Sequence, residues 1–248
     1  MGRIVCWFSC GAASAVATKK TIDKHRDALI VYCDTGSEHE DNKRFLYDCE
    51  KWFQKKIQIL KSEKYEDTWD VFEKTKYLAG VKGARCTTEL KKVLRNKFQQ
   101  LDDIQVFGFD FTETKRAEKF KQNNPEINLY TPLIDLKISK SDCFDIIKKA
   151  GIDLPAMYRL GYKNNNCIGC VKGQAGYWNK IRKDFPDTFK KMAMIERKLN
   201  VALNKTYAGD GKRKRVFLDE LDPNAGRYEK EKSIGCGVLC DIDLLDNK

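Results

Sequence analysis

The sequence predicts an α/β fold, a parallel β-sheet flanked by helices, with a helical, cysteine-bearing C-terminal extension. Three observations carry this expectation. Short apolar runs alternate with longer amphipathic segments along most of the chain, the pattern of strand–helix–strand units. The first run, Ile4-Val5-Cys6-Trp7-Phe8, breaks at once into a turn of small residues. Cys167 and Cys170, then Cys236 and Cys240, form two closely spaced pairs toward the C-terminus.

Residues 4–8 suit a strand buried on both faces. Ser9, Cys10, Gly11, Ala12, Ala13 and Ser14 follow, then a helix to about residue 26 with Lys19, Lys20 and Lys24 outward. A strand that turns through small residues into a helix offers an anion the backbone N–H groups and positive dipole end of that helix. Small side chains let a phosphate approach the backbone. An ordinary strand-to-helix turn carries the same pattern, so the rest of the chain must decide.

Residues 28–33 form a second strand, ending in Asp34-Thr35-Gly36-Ser37, a turn with helix-cap chemistry. An amphipathic helix runs on to about Phe53, and residues 57–60 make a third strand. Such alternation predicts right-handed crossovers, and a parallel sheet binds ligands at the carboxyl ends of its strands. Ser9–Ser14 and Asp34–Gly36 both follow strand ends and are expected to line one crevice.

Residues 65–77 read as a helix whose Trp69 and Phe72 belong to the core. Residues 80–88 read as a glycine-punctuated basic loop carrying Cys86. Thr88 would cap a helix from Glu89 to about Leu101 that presents Lys91, Lys92, Arg95 and Lys97. A strand over 104–108, a charged helix over 112–121 with Arg116, an extended piece over 129–135 and a helix over 139–149 capped by Ser139 or Ser141 follow. A loop through Tyr158, Gly161 and Tyr162 leads to the cysteines. Residues 177–200 read as helix broken near Pro186, and 209–215 as an exposed basic loop, most simply a solvated face.

Composition narrows the classes. The 47 Lys and Arg residues against 36 Asp and Glu give a formal charge of +11, which favours anionic partners. No run reaches the length of a membrane span and the N-terminus lacks a signal-peptide pattern, so a cytoplasmic protein with no membrane partner is expected. Ten cysteines in such a chain argue for metal binding or thiol chemistry rather than a disulfide scaffold. The two histidines, His25 and His39, leave a histidine-based metal site or a Ser-His-Asp triad poorly supported. Two cysteine pairs can hold zinc or an iron–sulfur cluster, and a zinc clasp on the tail accounts for the spacing equally well. Cys6, Cys10, Cys33, Cys49 and Cys143 read as small buried hydrophobes.

Taken in order, these segments resemble the phosphoadenylyl-sulfate and adenylyl-sulfate reductase family, within the adenine-nucleotide α-hydrolase-like, PP-loop superfamily. Ser9-Cys10-Gly11-Ala12-Ala13-Ser14 is similar to the SGGxDS pyrophosphate loop, and Asp34-Thr35-Gly36 to the DTG at the second strand. Arg85-Cys86 followed by Lys91-Lys92-Val93 resembles the CC…RKV segment. Pro132-Leu133, Asp142, Tyr158 and Gly161-Tyr162 resemble the PL…D…Y…GY run. Cys167 stands five positions after Tyr162, where the family has the CxxC that ligates a 4Fe–4S cluster. Gly235-Cys236-Gly237-Val238 resembles the tail motif ECG(L/I)H, whose cysteine is the reductase nucleophile. The likeness spans about residues 1–175 plus the tail.

There are departures. Cys10 replaces the first loop glycine and Ala13 the loop aspartate, and Ala cannot hold a cation, which argues against magnesium-assisted ATP cleavage. Of the family's substrate arginines only Arg116 has a counterpart. Cys86 lacks the adjacent cysteine, and Leu239 replaces the tail histidine.

The resemblance implies a nucleotide-binding α/β domain over 1–165 and a cysteine-rich helical region over 166–248 completing its active site. It implies an oxidoreductase or sulfurtransferase that binds ATP, adenylyl sulfate or phosphoadenylyl sulfate through Ser9, Cys10, Gly11, Ala12, Ala13, Ser14, Asp34, Thr35, Gly36, Lys91, Lys92 and Arg116. Cys86, Cys167, Cys170 and Cys240 would hold a 4Fe–4S cluster, or zinc, leaving Cys236 as the nucleophile and requiring a thiol or other electron donor. The competing ligand set is Cys167, Cys170, Cys236 and Cys240, with Cys86 catalytic or idle. Two other readings stand beside it: thiolation of tRNA or DNA, and a non-enzymatic nucleotide-binding protein with a structural zinc held by four cysteines.

Overall fold

A computed structural model describes residues 2–80, 83–207 and 213–235. Its centre is a five-stranded parallel sheet in the order β3-β2-β1-β6-β7, built from β1 (Ile4–Phe8), β2 (Leu29–Asp34), β3 (Gln58–Lys61), β6 (Ile104–Val106) and β7 (Asn128–Tyr130). The chain moves outward from β1 to β2 and β3, then returns to the other side of β1 for β6 and β7. The strand order therefore reverses between β1 and β6, and their carboxyl ends splay to leave a crevice.

β1 is apolar throughout because both its faces are covered. Phe8 joins a layer with Ala12, Val16, Phe45, Phe53, Leu133 and Ile147; Val5 and Trp7 join the opposite layer with Val31, Phe107 and Phe120. The first layer is supplied by α1 (Ala12–Lys24), α2 (Asn42–Phe53), α7 (Pro132–Asp135) and α8 (Lys140–Lys149), and the second by α6 (Thr114–Asn123). Cys10, Cys33, Cys49 and Cys143 are buried in these layers and Cys6 in a small cluster with Ala28 and Val106, as the sequence leads one to expect. Ser139 caps α8 in a capping box with Asp142, which decides between the two candidate serines.

A separate apolar cluster joins the C-terminal helices to the middle of the chain. Trp178, Ile181, Met192 and Ile195 of α10 (Ala175–Asp184) and α11 (Pro186–Leu199) pack with Val71 and Phe72 of α3 (Thr68–Thr75), Leu78, Leu90, Met157 and Tyr162. Pro186 marks the break between the two helices. Among the described residues no helix is long and apolar enough to cross a membrane.

Several local expectations are corrected. The 80–88 loop is instead a glycine hairpin, β4 (Ala79–Gly80) with β5 (Gly83–Ala84), leading directly into α4 (Arg85–Thr87). Cys86 is therefore helical. Thr88 is not a cap but the start of a π turn, Thr88–Lys92, that continues into α5 (Val93–Phe98). Arg85 and Glu89 pair across this turn at 2.7 Å, an i,i+4 contact that a helical backbone brings within reach. Residues 129–135 split into β7 and α7, because Pro132 at the first helical turn fixes φ for a helix. The helix expected over 112–121 is a short 3-10 turn, Phe111–Glu113, capped by Asp110 in a capping box with Glu113, followed by α6 over Thr114–Asn123. Residues 213–215, expected in a loop, belong to a strand, β9 (Arg213–Val216), paired with β8 (Asn204–Tyr207).

Candidate functional site

The crevice holds a cavity of about 390 Å³. Its floor is the turn after β1. The Ser14 hydroxyl accepts from the Ser9 amide and the Ser9 hydroxyl, both at 3.0 Å, and donates to the Gly11 carbonyl at 2.9 Å. These bonds fold the turn back over the first turn of α1. Gly11 is the N-cap residue, has no side chain to offer, and no acidic residue stands in that first turn. The Ala12 amide donates to the Tyr158 hydroxyl at 3.3 Å. A Cβ on Gly108 would lie 2.6 Å from Ser14 Cα and N, so only glycine lets the segment after β6 come this close to α1.

Of the sequence-selected residues, Ser9, Gly11, Ala13, Ser14, Lys91 and Arg116 line the cavity. Cys10 and Ala12 do not; both are fully buried in the core layer behind the turn. Cys10 has φ +54, a left-handed conformation that favours glycine, at the position where the resembled loop carries glycine. Its thiol lies 4.0 Å from the Asn42 carbonyl, and burial drives its pKa well above the usual thiol value. Asp34, Thr35, Gly36 and Lys92 are not among the lining residues, although Cys33, just before Asp34, is. Burial pushes the Cys33 thiol up to about 11, against the pull of Lys91. Asp34 turns back to accept the Gly36 amide at 2.9 Å.

The structure adds residues that sequence reasoning missed. Lys140 lines the cavity and stands over the Tyr158 ring at 5.6 Å, with its ammonium donating to the Lys163 carbonyl and to Asn164 Oδ1. Burial lowers its pKa, against the opposing pull of Glu113 and Asp110. A lysine at a helix start, where the dipole disfavours a cation, was the available signal. Asn165 donates to the Cys10 carbonyl at 2.7 Å and to Asn42 Oδ1 at 2.8 Å, bracing the turn from behind. Glu38 accepts from Asn42 at 2.9 Å and from Tyr32, stands 3.4 Å from the Thr35 hydroxyl, and lies 3.9 Å from the Lys91 ammonium. Thr35 in turn touches Cys167 Sγ at 3.1 Å, which connects the cavity lysine to the CxxC turn.

That turn is firmly held. The amides of Gly169 and Cys170 donate to the Tyr177 hydroxyl at 3.1 and 2.9 Å. Gly169 has φ +78 and is walled by Thr188, Trp69 and Trp178. Cys86 packs against the same apolar cluster that contains Cys170. A thiol-only donor set of this kind suits zinc or an iron–sulfur cluster in chemistry. Among the described residues no three His, Cys, Asp or Glu side chains gather as a metal-binding group. Cys236 and Cys240 lie outside the described residues.

The segment leading to Cys236 is described up to Gly235, and it crosses the cavity: Ser233, Ile234 and Gly235 line it together with Ser9 and Ser14. Asn164 donates to Ser233 Oγ at 2.5 Å and to the Ile234 carbonyl at 2.8 Å, Asn166 to the same carbonyl at 2.9 Å, and Lys172 to the Gly235 carbonyl at 2.9 Å. The cavity thus offers hydrogen-bond donors and a helix start on its floor, three cations in its walls, aromatic rings of Trp7, Phe107 and Phe109, and the approach to a tail cysteine. No protein-family model and no curated protein matches the chain.

Proposed function

We propose that this protein is a sulfur-transfer enzyme of sulfonucleotide-reductase type, binding an adenine nucleotide in the crevice between β1 and β6. The observation that carries the reading is that Gly235, the residue before Cys236, lines the same cavity as Ser9, Ser14 and Arg116. In this reading the first turn of α1 and the two serines take the nucleotide phosphate. Lys91, Arg116 and Lys140 balance the remaining negative charge. The aromatic wall, with Asp34 and Gly36 beyond it, flanks the adenosine.

The Cys236 thiolate attacks the sulfur of adenylyl sulfate or phosphoadenylyl sulfate. A sulfur–sulfur bond forms and the bond from that sulfur to the bridging phosphate oxygen breaks. The nucleotide leaves with its phosphate, and the sulfonate stays on Cys236. A second thiol, from a dithiol or thiol electron donor, then displaces sulfite and leaves a disulfide, so two thiols are oxidised as the sulfonate sulfur is reduced. Nearby cationic side chains lower the pKa of an attacking thiol. Ala13 supplies no carboxylate for magnesium, which favours sulfonucleotides over cleavage of ATP. Cys86, Cys167, Cys170 and Cys240 would hold an iron–sulfur cluster, or zinc, and a bound cluster supplies local positive charge and redox capacity.

The test is anaerobic incubation with each sulfonucleotide, followed by intact mass and peptide mapping, alongside metal analysis of the same preparation. The expected result is one sulfonate adduct on Cys236, removed by added dithiol with release of sulfite, and absent from Cys236→Ser. A Cys236→Ser protein that keeps its metal and full turnover overturns the nucleophile assignment.

A further inference from the structure

The basic hairpin of β8 and β9 has no role in the chemistry above. β8 and β9 together carry Lys205, Arg213, Lys214 and Arg215 and no acidic residue. Lys205 and Arg215 are direct cross-strand partners, an arrangement of like charges that costs stability in an antiparallel pair. Lys205, Lys214 and Arg215 are exposed.

The neighbouring cations are treated differently. Arg197 pairs with Asp219 at 2.8 Å and Glu220 at 2.5 Å, Lys198 with Glu73 at 3.2 Å, and Lys180 with Asp184 at 2.8 Å. Among the described residues no ion pair includes Lys205, Lys214 or Arg215.

The hairpin is also rooted. Glu196 of α11 is fully buried, and its carboxylate accepts the amide of Leu203, just before β8, and that of Leu218, just after β9, each at 2.6 Å. Asn204 is buried and Val216 packs on the core cluster, while Arg215 is braced by a bond to the Ala202 carbonyl at 2.5 Å. A buried carboxylate thus fixes both feet of an arm whose own strands hold only positive charge.

We propose that this hairpin is a duplex-DNA docking arm that contacts backbone phosphates through Lys205, Lys214 and Arg215. A two-stranded antiparallel ribbon fits the major groove of a duplex, and Lys205 and Arg215, as cross-strand partners, share one of its faces. The proposal goes beyond the sulfur chemistry and does not depend on it.

The experiment is fluorescence anisotropy of the full chain with a labelled short DNA duplex and, separately, a labelled tRNA, over a range of salt concentrations. Anionic phospholipid vesicles and polyglutamate serve as competitors. The wild-type protein is expected to bind with a steep salt dependence. Lys205→Gln/Lys214→Gln/Arg215→Gln should lower the slope of log affinity against log salt by roughly 2.7 on duplex DNA, at ~0.9 per lost phosphate contact. Because Arg215 also braces the hairpin, Lys205→Gln/Lys214→Gln is measured beside it, with an expected loss of roughly 1.8. Binding of adenine nucleotide should stay unchanged in both variants. Binding to the DNA duplex with these slope losses, tighter than to the tRNA, supports the arm, and tighter binding to the tRNA overturns the duplex assignment. No binding at low salt, an unchanged slope in the double variant, or equal competition by vesicles or polyglutamate overturns the proposal.

Discussion

α1 and α10 begin alike and are served differently. Neither receives a side-chain bond from its own N-cap residue, and neither has an acidic residue in its first turn. At α10 the chain brings its own anion: the Glu231 carboxylate accepts the amides of Gly176 at 2.6 Å and Tyr177 at 3.0 Å. Asp41 does the same for the short helix α9 (Ala156–Arg159), taking the Ala156 amide at 2.8 Å while paired with Arg44. At α1 the partner is the Tyr158 hydroxyl on Ala12 rather than a carboxylate, and the cavity opens in front. The fold places carboxylates where a helix start is structural and withholds one where, in our reading, a ligand supplies the charge.

The largest effect is expected at Gly108. Gly108→Val drives side-chain atoms into the backbone of the turn at Ala13 and Ser14, and should destabilise the fold by about 1–3 kcal/mol while abolishing nucleotide binding. Thermal unfolding and calorimetric titration read the two effects. Glu231→Ala strips α10 of its anion and loosens the segment that reaches Gly235. A loss of about 1.5–3 kcal/mol is expected in denaturant unfolding, the value for hydrogen bonds to a charged group.

At α9 the test is pH. Asp41 is held down to about 2, from an ordinary 3.8, by its hydrogen bonds with Arg44. A depressed carboxyl contributes stability that is fully present above its unfolded pKa and lost as pH falls through the folded value. Asp41→Asn should therefore cost on the order of 2 kcal/mol at neutral pH, with the gap to wild type closing between about pH 4 and pH 2. A gap independent of pH in that range contradicts the assignment.

Two smaller changes sharpen the picture at α1. Lys140→Met should weaken sulfonucleotide binding roughly tenfold, as expected for one charge-assisted contact, and lower the melting temperature as the bonds to the Lys163 carbonyl and Asn164 are lost. Tyr158→Phe removes the hydroxyl from the Ala12 amide. It should lower stability by about 0.5–1.5 kcal/mol yet leave anion affinity equal or improved, since the ligand then meets an uncontested N–H. Weaker binding in Tyr158→Phe would mean that the hydroxyl belongs to the ligand site.

Much of the sheet was legible because β1 and β2 are continuous apolar runs between turn signals. Ser9 and Ser14 were legible as the ends of a small-residue turn, and Ser139 as a cap. What escaped has a common physical cause: it depends on partners distant in sequence. Cys10 looks like an ordinary core thiol until its left-handed backbone is seen. Lys140 meets the Lys163 carbonyl and Asn164 only after residues 163–164 return to the start of α8. Glu196 reads as one more charge on an amphipathic helix, although it is the buried anchor of a hairpin. The start of α4 is hidden because glycine and basic residues around 80–88 carry no helical period, while the Arg85–Glu89 pair that supports the helix forms only once its backbone does.

The most direct measurement is a crystal structure of the protein soaked with adenylyl sulfate. The account requires the phosphate against the first turn of α1 and Ser9, with the sulfate directed toward Gly235 and the residue that follows it. A nucleotide bound outside the crevice, or bound there with its sulfate turned away from the tail, would contradict it.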